Sequence, residues 1–309
     1  MQLIRGLNRW QHQDRSIITI GNFDGMHRGH QAMLAATRQA ALKLNAPATL
    51  VSFDPLPHEY FSSDKAPPRL QGLRDRYLSV REAGMDRLLL LKFDQVLAAQ
   101  SAEDFIKLVL VDALKAKHLV IGDDFKFGHQ RRGDFDLLKA RASRYDYTLE
   151  QSITSCHNDT RISSTAVRSH LLAGELDQAA KLLGRPYRIT GRVIHGEKLA
   201  RQLGYPTANV ALHRHRPPLR GVFAVWATEQ TSGRRYAAVA NLGERPTIGG
   251  RKLLLEVHAF DAKVQWYGKH LAVDFMAQLR KEKRFDSLDE LKSQIQQDAQ
   301  QAKVLMKSL

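Results

Sequence analysis

Cysteine is almost missing from this sequence: Cys156 is the only one in 309 residues. No intramolecular disulfide can form, and a cytoplasmic home is expected. Long apolar runs are missing too. No stretch approaches the roughly 18 apolar residues that a membrane-spanning helix needs. The opening Met1-Gln2-Leu3-Ile4-Arg5-Gly6 lacks the apolar run of a secretory signal, so no leader is expected. No internal repeat or low-complexity tract stands out. Acidic residues are in deficit, 32 against 47 Lys and Arg, giving a formal charge of +15. That excess suits either a nucleic-acid footprint or sites for polyanionic small molecules such as nucleoside triphosphates. The basic residues are spread along the chain rather than blocked into a tail, which weakens the nucleic-acid reading. With 43% hydrophobic and 26% charged residues, wholesale disorder is excluded and a packed core is expected.

The first half alternates two patterns. Short apolar runs at Ile17–Gly21, Ala48–Phe53, Arg87–Leu91 and His118–Gly122 read as strands. Helical patterns lie at Gly29–Leu44, Leu73–Ala83 and Ser101–Leu114, the last opening on a capping-box-like Ser101-Ala-Glu-Asp104. This alternation predicts an α/β domain, a doubly wound parallel sheet with helices on both faces. Ligands in such sheets bind outside the carboxyl ends of the strands. Near Gly184 the pattern changes. Strand-like runs at Tyr187–Val193, Gly221–Ala227, Tyr236–Asn241, Leu253–Phe260 and Leu271–Met276 predict a small antiparallel barrel or sandwich. A closing helix follows, capped by Ser287, with an apolar stripe of Leu288, Leu291, Ile295, Ala299 and Ala302. The expected domains are 1–183 and 184–309.

Straight after the first apolar run comes Gly21-Asn-Phe-Asp-Gly-Met-His-Arg-Gly-His30. A helix starting near His27 presents unpaired N–H groups and a positive dipole end, which attract phosphate. His27 and His30 lie about one turn apart and can each donate to a phosphate oxygen. Taken alone, H-x-x-H reads as readily as two surface histidines; the glutamate of a zinc H-E-x-x-H pair is absent. Set between a buried strand and a helix, the stretch resembles the H-x-G-H signature of the nucleotidyltransferase superfamily, in which a nucleophile attacks the α-phosphate of ATP. The resemblance implies that Gly21, Asn22, Phe23, Asp24 and Gly29 help bind ATP and that His27 and His30 are catalytic.

Two further segments join it. Arg161-Ile-Ser-Ser-Thr-Ala-Val-Arg168 resembles the family's I-S-S-T-x-x-R segment. Ser163, Ser164 and Thr165 would then face ATP's phosphates, with Arg168 catalytic beside them. On its own, Ser-Ser-Thr reads as a helix cap. Gly122-Asp-Asp-Phe-Lys-Phe-Gly128 is similar to the G-x-x-F-x-F-G segment of bacterial flavin adenylyltransferases. That likeness implies flavin contacts at Asp123, Phe125 and Phe127. Either Phe taken singly reads equally as core.

In the second half, Gly191-Arg-Val-Ile-His-Gly196 leads to Gly204-Tyr-Pro206-Thr207-Ala-Asn209. Glycine-spaced loops can wrap phosphates through backbone N–H groups. Thr207 and Asn209 bring neutral oxygens, which magnesium accepts beside substrate phosphates. The stretch resembles the riboflavin kinase signature. It implies ATP contacts at Gly191, Gly196, Gly204 and Pro206, and Mg2+ ligands at Thr207 and Asn209. Glu256, in Leu253–Phe260, alternates onto the face away from Leu255 and Val257 and is either a wet outward carboxylate or a working one. The resemblance makes it the catalytic base. Asn241-Leu-Gly-Glu-Arg-Pro-Thr247 matches too, with Arg245 a phosphate or a structural residue, and Arg280 falls where the family has a flavin-contacting arginine.

Both halves, in this order, resemble the bacterial bifunctional riboflavin kinase/FAD synthetase family over nearly the whole chain. The implied activity is riboflavin + ATP → FMN + ADP, then FMN + ATP → FAD + pyrophosphate. ATP is the co-substrate, Mg2+ the metal, and FMN and FAD the products. Two other readings are an H-x-G-H adenylyltransferase for another acceptor and a nucleic-acid-binding module. No membrane partner is expected, and a nucleic-acid partner is disfavoured despite the charge.

Overall fold

The computed structural model describes residues 1–63, 65–152, 156–157, 160–195, 206–212, 216–247, 250–260 and 264–308. Contacts divide the chain into two compact units: 1–67 with 76–163, and 68–75 with 164–309.

The first unit is built on β1 (Gln2–Arg5), β2 (Ser16–Ile20), β3 (Ala48–Phe53), β4 (Arg87–Leu91), β5 (Ala116–Gly122) and β6 (Thr148–Ser152). They form one fully parallel sheet in the order β1-β4-β3-β2-β5-β6. Every residue of β2 and β3 is buried, as strands covered on both faces require. The connecting helices are α1 (Arg28–Leu44), α2 (Pro57–Phe61), α3 (Leu73–Glu82), α4 (Gln95–Ala99), α5 (Ala102–Asp104) and α6 (Phe135–Tyr145). Helix α3 is shared, its first turn falling in the second unit. Helix α1 buries Leu34, Thr37 and Ala41, residues three and four apart on one face, and ends at Asn45 in the left-handed region. After α5 the chain winds as a π-helix over Phe105–Ala113, burying Phe105, Ile106, Val109 and Leu110. From β2 the chain steps outward to β3 and β4, then returns to β5. The strand order therefore reverses between β2 and β5. In open parallel sheets that switch point is where ligands bind.

In the second unit, α7 (Ser164–Ala173) and α8 (Leu176–Leu183) precede β9 (Tyr187–Ile194), β10 (Ala208–Val210), β11 (Gly221–Glu229), β12 (Arg235–Thr247), β13 (Gly250–Ala259) and β14 (His270–Arg280). A two-stranded ribbon, β7 (Cys156–His157) with β8 (Thr160–Arg161), lies before them in the first unit. Strands β9–β14 close an antiparallel barrel in the order β10-β13-β12-β11-β14-β9. Its interior holds Ile189, Val210, Phe223, Val225, Leu255, Val257 and Phe275. Helix α9 (Leu288–Lys307) lays Ala299, Ala302 and Met306 on Ala224 and Phe260, with Trp226 and Val239 alongside. Ser287 caps it, accepting from the Glu290 N–H at 3.2 Å.

Candidate active sites

The chain leaves β2 through a tightly wound turn. Phe23 (φ 47°) and Met26 (φ 49°) hold left-handed backbone between them Gly25 (φ 94°). Non-glycine residues there cost of order 1–3 kcal/mol each and persist only where their surroundings dictate them. Three groups do so here. Arg76, 3% exposed, donates from Nη1 to the Asn22 carbonyl (3.0 Å) and the Ser52 hydroxyl (2.9 Å), and from Nη2 to the Phe53 carbonyl (3.1 Å). Ser52 Oγ donates to the same Asn22 carbonyl at 3.2 Å, and Gln31 Nε2 donates to the Met26 carbonyl at 2.9 Å.

His27 is the N-cap of α1, and its Nδ1 accepts from the His30 N–H at 3.3 Å. With Nδ1 accepting, a neutral His27 ring carries its proton on Nε2. The His27 and His30 rings stack at 3.6 Å, and Phe23 stacks on His30 at 4.7 Å. A side chain at Gly29 would begin 3.3 Å from the His27 ring, so glycine leaves the stack room. Gly21, Asn22, Phe23, Asp24, His27, Gly29 and His30 are thus gathered in one turn at the switch point, with Phe23, Asp24 and His27 buried.

On the other side of the switch point, Gly122 ends β5. Asp123 and Asp124 pair with Arg161 at 3.1 and 2.7 Å, joining this segment to the start of the Arg-Ile-Ser-Ser-Thr stretch. Phe125 and Phe127 stack on each other at 5.3 Å. Phe127 is 7% exposed, lies in the core against Phe105, and bonds its backbone to Gly133. Phe125 packs at the edge of that core. Gly128 (φ 71°) lies against α5, where an added Cβ would fall 2.6 Å from the Ala102 backbone. Ser163 closes the first unit; Ser164, Thr165 and Arg168 belong to the second, at the start of α7. Arg168 is buried, its Nε donating to the Pro68 carbonyl at 2.7 Å.

Sequence reasoning passed over Arg76 and an aromatic ladder at the carboxyl ends of β3 and β4. Phe53, Phe93, Tyr60 and Phe61 meet edge to face with centroids 5.3–5.8 Å apart, and Phe61 is 66% exposed. Such faces can take a flat ring system. The run of aromatics after Phe53 was the available signal.

In the barrel, Asn209 on β10 sits opposite Glu256 on β13, which sits opposite Asn241 on β12. Cross-strand partners share a face. Leu255 and Val257 point into the barrel, so this polar row lies on its outer side. Asn209 is 6% exposed, and its buried Oδ1 has no hydrogen-bond partner among the described residues. His258 follows Glu256 on the same face, its Nδ1 2.9 Å from the Pro206 carbonyl. Thr207 immediately precedes β10. An added Cβ at Gly191 would lie 2.6 Å from Val210 Cγ1, so glycine lets β9 approach β10. Arg280, at the end of β14, is gripped by Asp298 of α9 at 2.8–3.0 Å. Gly196 and Gly204 lie outside the described residues, as does the side chain of Arg245.

Known proteins resemble this chain in both of its halves. The FAD synthetase family model matches residues 9–166, and the riboflavin kinase model matches residues 183–306. The bifunctional riboflavin kinase/FMN adenylyltransferase of Haemophilus influenzae is 46% identical over 309 residues, all of both chains. That of Pseudomonas fluorescens is 47% identical over 307 residues, 99% of this chain and 98% of the relative. This chain belongs to the bifunctional riboflavin kinase/FMN adenylyltransferase family. Like the family, it uses ATP to make FMN from riboflavin and then FAD from FMN. A crystal structure described as a macrolide-efflux protein from Streptococcus pneumoniae aligns with a TM-score of 0.81 at 29% identity, over 96% of this chain and 97% of its own. Among the described residues no helix is long and apolar enough to cross a membrane.

Proposed function

We propose that residues 1–183 form the FMN adenylyltransferase domain and residues 184–309 the riboflavin kinase domain. The family matches to 9–166 and 183–306 support this division. In the first domain, Gly21, Asn22, Phe23, Asp24 and Gly29 shape the ATP cradle with Ser163, Ser164 and Thr165. A phosphate oxygen of FMN attacks the α-phosphorus of ATP, and the bond to the bridging oxygen breaks to release pyrophosphate. No covalent enzyme intermediate is needed, so positioning and charge stabilisation carry the step. His27 through Nε2, His30, and Arg168 stabilise the charge that builds on the departing pyrophosphate. Asp123, Phe125 and Phe127 hold the segment beside the flavin, and the Tyr60–Phe61–Phe93 faces offer its ring a stacking surface.

In the second domain, Glu256 takes the proton of the ribityl 5′-hydroxyl, whose oxygen attacks the γ-phosphorus of ATP as ADP leaves. The observation that carries this reading is the row Asn209–Glu256–Asn241, with the Asn209 oxygen buried and without a partner among the described residues. A hard cation that prefers oxygen ligands fits that atom. Thr207 and Asn209 would hold Mg2+, which supplies charge neutralisation at the transferred phosphoryl group. Gly191, Gly196, Gly204 and Pro206 shape the loop around the nucleotide, and Arg280 contacts the flavin from its clamp on Asp298. The reaction needs neither a nucleic acid nor a membrane, and the lone cysteine suits the cytoplasm.

The test is Glu256→Gln. It should cut FMN formation from riboflavin at least a hundredfold and leave FAD formation from supplied FMN within twofold. Retained FMN formation would overturn the role of Glu256, and loss of FAD formation alone would reverse the domain assignment.

A further inference from the structure

We propose that Arg76 is a positioning residue for adenylyl transfer: its buried guanidinium fixes the Asn22 end of the turn that carries His27 and His30. The inference rests on assigning adenylyl transfer to that turn.

Arg76 comes from α3, yet its donors reach the ends of two strands. Nη1 bonds the Asn22 carbonyl after β2 and the Ser52 hydroxyl in β3, and Nη2 bonds the Phe53 carbonyl. A buried cation is costly unless its hydrogens are satisfied, and at 3% exposure this one is well inside. Among its partners are two backbone carbonyls and a hydroxyl, all at or just beyond the ends of β2 and β3. The geometry is that of a strut. It holds the carbonyl immediately before Phe23, the first residue of the turn with left-handed backbone, and Phe23 in turn stacks on His30. Two nitrogens on a planar fork are needed to span these acceptors. A lysine ammonium is a single point and cannot hold both strand ends. If the turn drifts, the His27 and His30 donors move relative to the α-phosphorus. A displacement of about 1 Å is enough to cost roughly a hundredfold in rate.

The other activity of the same chain supplies the control. Arg76→Lys should lower kcat/KM for FAD formation from FMN about ten- to hundredfold, mainly in kcat, with FMN formation from riboflavin within twofold of the parent protein. Ser52→Ala should move the same constant the same way by a smaller factor and add little on top of Arg76→Lys, because both act on one carbonyl. Arg76→Ala should regain FAD formation with millimolar guanidinium and not with methylammonium. If Arg76→Ala does not fold, Arg76→Lys and Ser52→Ala decide. The proposal is overturned by Arg76→Lys at the parent rate, by an equal fall of both activities, or by fully additive effects of the two variants. His27→Ala is run in parallel. Should it leave FAD formation intact, the reading of the turn fails. Should it abolish FAD formation while Arg76→Lys does not slow it, only the strut is wrong.

Discussion

Tyr147 shows how a single side chain ties stability to pH. Its ring is 4% exposed and its hydroxyl donates to the Leu138 carbonyl at 2.6 Å. Burial pushes the phenol up to about 12 from an ordinary value near 10. The folded state therefore keeps a proton that the unfolded chain gives up. The stabilisation is complete below pH 10 and fades as pH rises toward 12. Tyr147→Phe should cost about 0.5–1.5 kcal/mol at neutral pH through the lost hydrogen bond. It should also flatten the loss of stability between pH 10 and 12, as measured by urea unfolding across that range; an unchanged alkaline profile would contradict this. Among the proposed site residues, His27, His30, Asn209 and Glu256 drew attention in the sequence because polar groups stood where an apolar strand or a glycine turn called for explanation. Arg76 did not. It sits in Leu73-Arg-Asp-Arg76-Tyr, where a basic residue reads as a solvated helix face, and only the tertiary path of α3 turns it inward.

At the scale of elements, close approach and caps set the energetics. Gly191→Ala should destabilise the barrel by about 1–3 kcal/mol, since the new methyl meets Val210 and the backbone of Ala211. A melting curve that does not move would leave nucleotide binding as the sole reason for glycine there. Ser287→Ala should cost roughly 0.5–2 kcal/mol by freeing the Glu290 N–H at the start of α9. Thermal unfolding reads it directly. Strands β3 and β4 were legible to the residue because each is a bounded apolar run buried in a parallel sheet. Strands β1 and β6 escaped notice. They are the sheet edges, only four and five residues long, and mostly polar or half-exposed, so no apolar run marks them. The barrel was readable as an antiparallel unit, and its closure through β10, a three-residue strand, was not.

The whole molecule joins two ATP-cleaving activities in one chain, one breaking the bond at the γ-phosphorus and the other at the α-phosphorus. Chelation of Mg2+ should stop FMN formation, and Asn209→Ala should raise the Mg2+ concentration needed to restore it. An unchanged requirement would remove Asn209 from the metal site. The order of the two families along the sequence was legible because each carries a motif whose residue types make sense only together. How the contacts partition Pro68–Asp75 and Ser164–Leu183 with the barrel was not, since those segments read locally as loop and helix. The most direct measurement follows isotope in the His27→Ala/His30→Ala protein given riboflavin, Mg2+ and ATP labelled at either the α or the γ phosphorus. The γ label should enter the flavin as FMN, and the α label should enter no flavin at all. An α-labelled flavin, or no labelled flavin of either kind, would contradict two separable sites.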